Sequence, residues 1–275
     1  MKIGLYWFLA IIITFGAVVY QRKTGPTYDK KVSINIENEE YNFKLIRSHG
    51  GEKDCNIKLE IADQAISGIL EYKKFPTKDG WTKIEMERKA DNLIAILPYL
   101  PPAGKYEYKI TLLKGDKNFP LNDGHSVLIR FKGAVPGAVL IPHIFLMFFA
   151  MLLGNLAGIM AVFKYHKYKF FTNVTVIALF VGGLILGPMV QWYAFGEAWA
   201  GVPFAWDLTD NKTLVAFIFW MIAFFVNRKK ERPVYTIVAS IVMLIIYSIP
   251  HSMFGSQLDP ETGEIIQGWI QLFYF

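Results

Sequence analysis

A single cysteine, Cys55, stands among 275 residues, so no internal disulfide holds the chain together. In the alternating run Cys55-Asn-Ile-Lys-Leu-Glu-Ile61 it reads as a small buried hydrophobe. There is no P-loop, no G-x-G-x-x-G after a strand, no G-x-S-x-G elbow, no H-E-x-x-H and no C-x-x-C. Those absences leave the chain without a recognisable nucleotide, esterase or zinc-protease signature. The long apolar runs carry no Asp, Glu, Lys or Arg in their central portions, where a proton or ion carrier usually has one, and a pump or secondary carrier is demoted. Internal repeats and low-complexity tracts are missing too. The formal charge of +6 does not indicate nucleic acid, because the cations are not interleaved with aromatic residues.

What the chain has is apolar length: 53% of its residues are hydrophobic and 16% aromatic. Within residues 136–250, four apolar runs cover about 139–163, 170–195, 213–226 and 234–249. A spanning helix needs roughly 20 apolar residues, so the first two suffice and the last two need their polar flanks in the headgroup region. Unpaired amides are untenable in hydrocarbon, and helices are the economical reading: a four-helix transmembrane bundle. Lys164, Lys167 and Lys169 join the first two runs, and Arg228, Lys229, Lys230 and Arg232 the last two. The loop between the middle runs carries Glu197, Asp207, Asp210 and one Lys212; residues 251–275 carry Asp259, Glu261 and Glu264 and no cation. The positive-inside tendency puts both basic hairpins in the cytoplasm and the acidic loop and tail outside.

At the front, Lys2 precedes an apolar run to Tyr20 and then Gln21-Arg22-Lys23. No small-x-small cleavage site precedes the basic cluster, so residues 1–23 read as a membrane anchor or uncleaved signal. Five spans result, with the N-terminus inside and the C-terminus outside. Residues 24–135 differ in texture: eight short runs of period two, from Val32-Ser-Ile-Asn-Ile36 to Ser126-Val-Leu-Ile-Arg-Phe131, are separated by turn residues such as Gly50-Gly51 and Lys78-Asp-Gly80. That pattern predicts an external β-sandwich, immunoglobulin-like in layout, with Pro101-Pro-Ala-Gly-Lys-Tyr-Glu-Tyr108 leading into the penultimate strand. The fold class expected is an α+β membrane protein: anchor helix, external immunoglobulin-like β-sandwich, four-helix bundle, and an external tail over 251–275.

Two histidines sit beside prolines at the outer ends of the first and last bundle helices, His143 after Pro142 and His251 after Pro250. Histidines on different helices at one depth suit axial ligation of haem b, with Met147 one turn from His143 and Trp192 in the aromatic loop. A metal site from His143, His251, Asp207 and Glu197 is the alternative. The plainer reading is a pair of interfacial histidines near helix ends. Trp192, Trp199, Trp206, Tyr193, Phe195 and Phe204 read as an aromatic belt. Asp210 or Asn211 is expected to cap the third bundle helix, which leaves Asp207 without a structural role. Gly154-Asn-Leu-Ala-Gly158 and Gly183-Leu-Ile-Leu-Gly187 allow close helix packing, Asn155 should face the bundle interior, and Gly187-Pro188 should kink the second helix.

Two stretches, Phe131-Lys-Gly-Ala-Val-Pro-Gly-Ala-Val-Leu-Ile-Pro-His143 and Tyr193 to Thr213 with Phe204-Ala-Trp-Asp-Leu-Thr-Asp-Asn-Lys212, resemble a group of uncharacterised bacterial integral membrane proteins. Those proteins carry an external β-domain ahead of a four-helix membrane bundle. The resemblance implies that layout and no activity. The functional expectation is a non-enzymatic cell-envelope protein of the bacterial inner membrane, an accessory or assembly subunit whose partners are the lipid bilayer and another envelope protein or complex subunit, not nucleic acid. The alternative is a redox membrane subunit holding haem b or a quinone near the outer face through His143 and His251.

Overall fold

A computed structural model of the chain describes residues 3–250 and 256–267. It divides into two compact units, one made of Met1–Pro26 with Val135–Gly255 and the other of Thr27–Ala134 with Ser256–Phe275.

The first unit is helical. Helix α1 (Ile3–Thr24) is followed, past the β-rich region, by α2 (Gly137–Val162), α3 (Tyr168–Leu179), a π-helical segment (Phe180–Leu186), α4 (Gly187–Phe195), α5 (Leu208–Lys229) and α6 (Pro233–Ser248). Ile3–Thr24, Gly137–Val162, the continuous Tyr168–Phe195 and Leu208–Lys229 are long and apolar enough to cross a membrane; α6, at 16 residues, is shorter. Helix α5 starts five residues ahead of the apolar run beginning at Thr213, because Thr209-Asp210-Asn211-Lys212 form its first turn. Helix α2 likewise begins at Gly137 rather than after Pro142, and carries that proline inside.

Helix α1 is stitched into the bundle rather than standing apart. Its Tyr6, Ala10 and Thr14 are buried. Tyr6 stacks on Phe163 with ring centroids 5.5 Å apart, and Trp7 meets Phe171 edge-on at 5.8 Å. Asn155 Nδ2 donates to Thr14 Oγ1 at 3.0 Å, so the amide faces the interior as expected and spends itself on α1. The two glycines of Gly154-Asn-Leu-Ala-Gly158 are internal packing points. A Cβ on Gly154 would stand 2.8 Å from Met243 Sδ and 2.9 Å from Trp220 Cζ2, and one on Gly158 would strike Ser240 of α6.

At the expected kink, a π-helical segment runs up to Gly187-Pro188. Pro188 brings no amide hydrogen, and its ring crowds the carbonyl one turn back, so the wider winding relieves the clash. The Gly187 N–H then reaches Gly182 O, five residues back.

The second unit is β-rich. Its strands are β1 (Lys30–Ile36), β2 (Glu39–Leu45), β3 (Ser48–Gly50), β4 (Cys55–Glu60), β5 (Ile66–Lys74), β6 (Thr82–Glu85), β7 (Glu87–Lys89), β8 (Asn92–Leu97), β9 (Lys105–Lys114), β10 (Lys117–Pro120), β11 (Val127–Lys132), β12 (Ser256–Leu258) and β13 (Ile265–Gln267). One sheet runs β3-β11-β9-β5-β6, with β10 added to β9; another runs β4-β8-β7; β1-β2 and β12-β13 are hairpins. The β3–β11 pair is parallel and the other pairs are antiparallel. Alternation drives burial: β4 reads buried-exposed throughout, and Cys55, Ile57 and Leu59 enter one core with Leu70, Leu97, Tyr108, Ile110 and Phe131. Burial pushes the Cys55 thiol up to about 11, which fits an inert core residue.

The run expected as one strand near residues 82–86 is split at Met86, whose N–H leaves its neighbours to donate to Gly68 O at 2.8 Å. The region expected as an external tail contributes the hairpin β12–β13, and its Leu258 N–H donates to Ala103 O at 3.1 Å within the β-rich unit. Asp259 holds that hairpin's turn, its Oδ1 accepting from Glu261 N at 2.8 Å and from Thr262 N at 3.2 Å.

Candidate functional site

One cluster of polar residues of the bundle lies at the end where α4 stops, α5 starts and α6 ends. Gly196 closes α4 in a left-handed conformation at φ 81°, ψ 0°, which a glycine adopts without penalty. The chain then crosses to α5, and Asp207, 3% exposed, is the N-cap of that helix. Its Oδ1 accepts from Thr209 N at 2.7 Å and Asp210 N at 3.3 Å, satisfying two amides that a helix start leaves open. This corrects the expectation that Asp210 or Asn211 caps the helix and that Asp207 has no structural task.

Asp210 and Asn211 instead pin the loop. Asp210 Oδ2 accepts from Ala200 N at 2.6 Å and from Gln191 Nε2 at 3.0 Å, and Asn211 Oδ1 accepts from Val202 N at 2.8 Å. The loop backbone lies so close to α5 that a Cβ on Gly201 would meet Asp210 Cβ at 2.8 Å, so a glycine is needed there. Lys212 is 6% exposed and donates to Ile249 O at 2.9 Å and Pro250 O at 3.3 Å. Those are carbonyls at the C-terminal end of α6, which lack helical partners and carry the negative end of the dipole. Gln21 of α1 reaches the same Ile249 O at 3.4 Å. One lysine and one glutamine thus tie the ends of three helices together. Glu197, on the loop, is held above the usual carboxylate range by burial and, second, by the charge of Asp207.

His143 Nδ1 lies 2.9 Å from Gly182 O, the carbonyl that the π-helical segment opens. That carbonyl accepts from Gly187 N and, with Nδ1 protonated, from the imidazole as well. Met147, one turn on, packs against the same glycines: a Cβ on Gly182 would lie 3.3 Å from its Sδ, and Tyr247 OH sits 3.7 Å from that sulfur. Trp192 is 58% exposed and Phe204 82%, as befits rings at a membrane boundary, whereas Trp199 donates to Val202 O at 3.2 Å. His251, the second histidine of the expected pair, lies outside the described residues. Among the described residues, no group of three or more His, Cys, Asp or Glu side chains is placed to hold a metal ion.

Sequence reasoning gave Asn211 only a capping role and overlooked Gln191 and Lys212. The available signal was a lysine in the first turn of a helix otherwise entering hydrocarbon: a cation at that depth needs acceptors, and helix C-terminal carbonyls supply them. The chain matches no protein-family model, no curated protein and no solved structure.

Proposed function

We propose that the chain is a non-enzymatic accessory or assembly subunit of a cell-envelope membrane, its β-rich unit presented on the outer face by a membrane bundle. The observation that carries this reading is how the polar loop end spends its groups: Asp207, Asp210, Asn211 and Lys212 all go to helix ends and loop amides. A scaffold uses its polar side chains in this way, whereas a catalytic centre needs donors and acceptors facing a substrate. In this reading the membrane is the bacterial inner membrane, and the asymmetry of Lys164, Lys167, Arg228, Lys229 and Lys230 against the acidic loop supports basic hairpins on its cytoplasmic side.

For the β-rich unit the finer reading is an immunoglobulin-like sandwich. Supporting it, β3-β11-β9-β5-β6 and β4-β8-β7 follow the division of such domains into two sheets. Cys55 on β4 and Tyr108 on β9, one strand from each sheet, are also buried in one core, as expected of a two-sheet sandwich. Such a surface suits a protein partner. Purification in mild detergent tests the proposal: a stoichiometric partner that leaves when the β-rich unit is deleted supports it, and a clean monomer at native expression level refutes it.

A second reading, a redox subunit holding haem b or a quinone, is favoured by the His143 hydrogen bond. With Nδ1–H directed at Gly182 O, the lone pair is on Nε2, the arrangement by which proteins orient metal-bound imidazoles. Haem would supply one-electron chemistry, and His143 and His251 are the residues that would hold it, with Met147 and Trp192 as further candidates of this reading. The test is a visible spectrum of the purified protein, oxidised and dithionite-reduced. A reduced α-band lost in His143→Ala establishes this reading, and a colourless protein ends the haem form of it.

A further inference from the structure

At the opposite end of the bundle, beside the basic hairpins, a pocket of about 370 Å³ opens between α3 and α5. It is lined by Lys169, Thr172 and Asn173 from α3 and by Phe224, Asn227 and Arg228 from α5. Its floor is fixed. Asn227, 5% exposed, accepts from Tyr168 OH at 2.7 Å and from Arg232 N at 2.8 Å, and donates to Ala223 O at 2.8 Å. Thr172, 1% exposed, donates to Tyr168 O at 2.9 Å.

The rim is basic. The Arg228 guanidinium lies 5.7 Å from the Phe224 ring, which orders it, and it forms no ion pair among the described residues. Asn173 is exposed and has no hydrogen-bond partner among the described residues. Lys169 meets Glu231 at 3.2 Å, but the acid is 62% exposed, and such a pair yields readily to a stronger anion. The two hairpins next to these helix ends carry Lys164, Lys167, Lys229, Lys230 and Arg232 in sequence, against the single acid Glu231. An exposed amide beside two cations at the end of an apolar helix suits an anion that also accepts hydrogen bonds.

We propose that this pocket binds the phosphate of an anionic phospholipid headgroup, gripped by Lys169 and Arg228, with Asn173 donating to a headgroup or glycerol oxygen. A lipid rather than free phosphate is the occupant because the pocket is flanked by exposed apolar side chains on both helices. Phe170 and Ile177 are each 62% exposed and Phe225 is 55% exposed, which gives the acyl chains a path into the bilayer. The proposal rests on the membrane-spanning helices and is independent of what the loop end does.

Native mass spectrometry of the full chain in a mild non-ionic detergent tests it, with dioleoyl phosphatidylglycerol as probe and dioleoyl phosphatidylcholine and inorganic phosphate as comparators. One phosphatidylglycerol per chain is expected, in preference to phosphatidylcholine. Lys169→Gln and Arg228→Gln should each weaken it about fivefold and together about twenty-five-fold. Arg228→Lys should recover part of the loss. Lys229→Gln and Lys230→Gln, with the same charge change outside the pocket, should leave it in place. Equal weakening by these outside variants, equal binding of phosphatidylcholine, or displacement of the lipid by millimolar phosphate would overturn the proposal.

Discussion

If Asp207 works as a helix cap, its acceptor oxygen matters and its charge does not. Asp207→Ala removes the oxygen that takes Thr209 N at 2.7 Å and Asp210 N at 3.3 Å, at a position 3% exposed where water is a poor substitute. Loss of an N-cap costs roughly 0.5–2 kcal/mol, and burial places this one in the upper half. Asp207→Asn and Asp207→Ser keep an acceptor but lose the charge. The lost charge–dipole attraction, roughly 0.3–1 kcal/mol, is offset by relief of repulsion on Glu197, whose carboxyl is raised partly by Asp207. These two variants should therefore stay within about 0.5 kcal/mol of the parent, since Asn, Asp and Ser cap about equally well. Thermal unfolding in detergent, followed by tryptophan fluorescence, should show a Tm drop of roughly 3–6 °C for Asp207→Ala and little for the other two. If Asn and Ser fall as far as Ala, the charge or a bound ligand holds Asp207 in place, and the capping argument fails.

Three further outcomes are expected. Asn155→Leu, which breaks the 3.0 Å bond to Thr14, should loosen α1 by roughly 0.6–1.7 kcal/mol in mixed-micelle unfolding titrations; an unchanged midpoint would show that α1 is held by ring packing alone. Lys105 is pushed down to about 7, first by burial and second by the Arg130 charge, while the unfolded side chain titrates at 10.5. The native state thus sheds its proton first, so stability should climb as pH rises from about 7 towards 10.5 and be flat below 7; Lys105→Met should abolish that slope in denaturant melts, and a slope that survives assigns it elsewhere. Cys55, buried with its thiol raised to about 11, should resist maleimide at pH 7.5 in the folded protein and react fully after denaturation. Rapid labelling of the native chain would place it outside the core.

The architecture was legible because its signals are periodic and long. Apolar runs mark spanning helices whatever their neighbours, and Val32-Ser-Ile-Asn-Ile36 or Cys55-Asn-Ile-Lys-Leu-Glu-Ile61 alternate because one face is buried. Helix ends were harder to read. Leu208 begins α5 through four residues that look like loop, since Asp210, Asn211 and Lys212 find their partners outside the helix, at Ala200, Val202, Ile249 and Pro250. Short strands escaped for the same reason. β3 has three residues and exists through its parallel pairing with β11, more than eighty positions away.

The site followed the same division between local and distant causes. His143 was recognisable as a polar residue in an apolar helix, but its partner, Gly182 O, exists because Pro188 forces a π-helical turn on the next run. A proline six residues past a glycine thus decides which histidine nitrogen carries the proton. That dependence separates the local fold from the ligand question. Pro188→Ala should let the segment rewind as an ordinary α-helix, shifting the helical donor to Gly182 O from Gly187 N to Leu186 N and freeing the His143 ring. If His143 serves packing alone, the variant should keep or gain stability, since a proline and an irregular turn are removed together. If Nε2 holds a ligand, absorbance or ligand retention should fall with the ring's orientation while the fold persists. Loss of the fold together with the ligand would refute the link between Pro188 and the histidine's orientation.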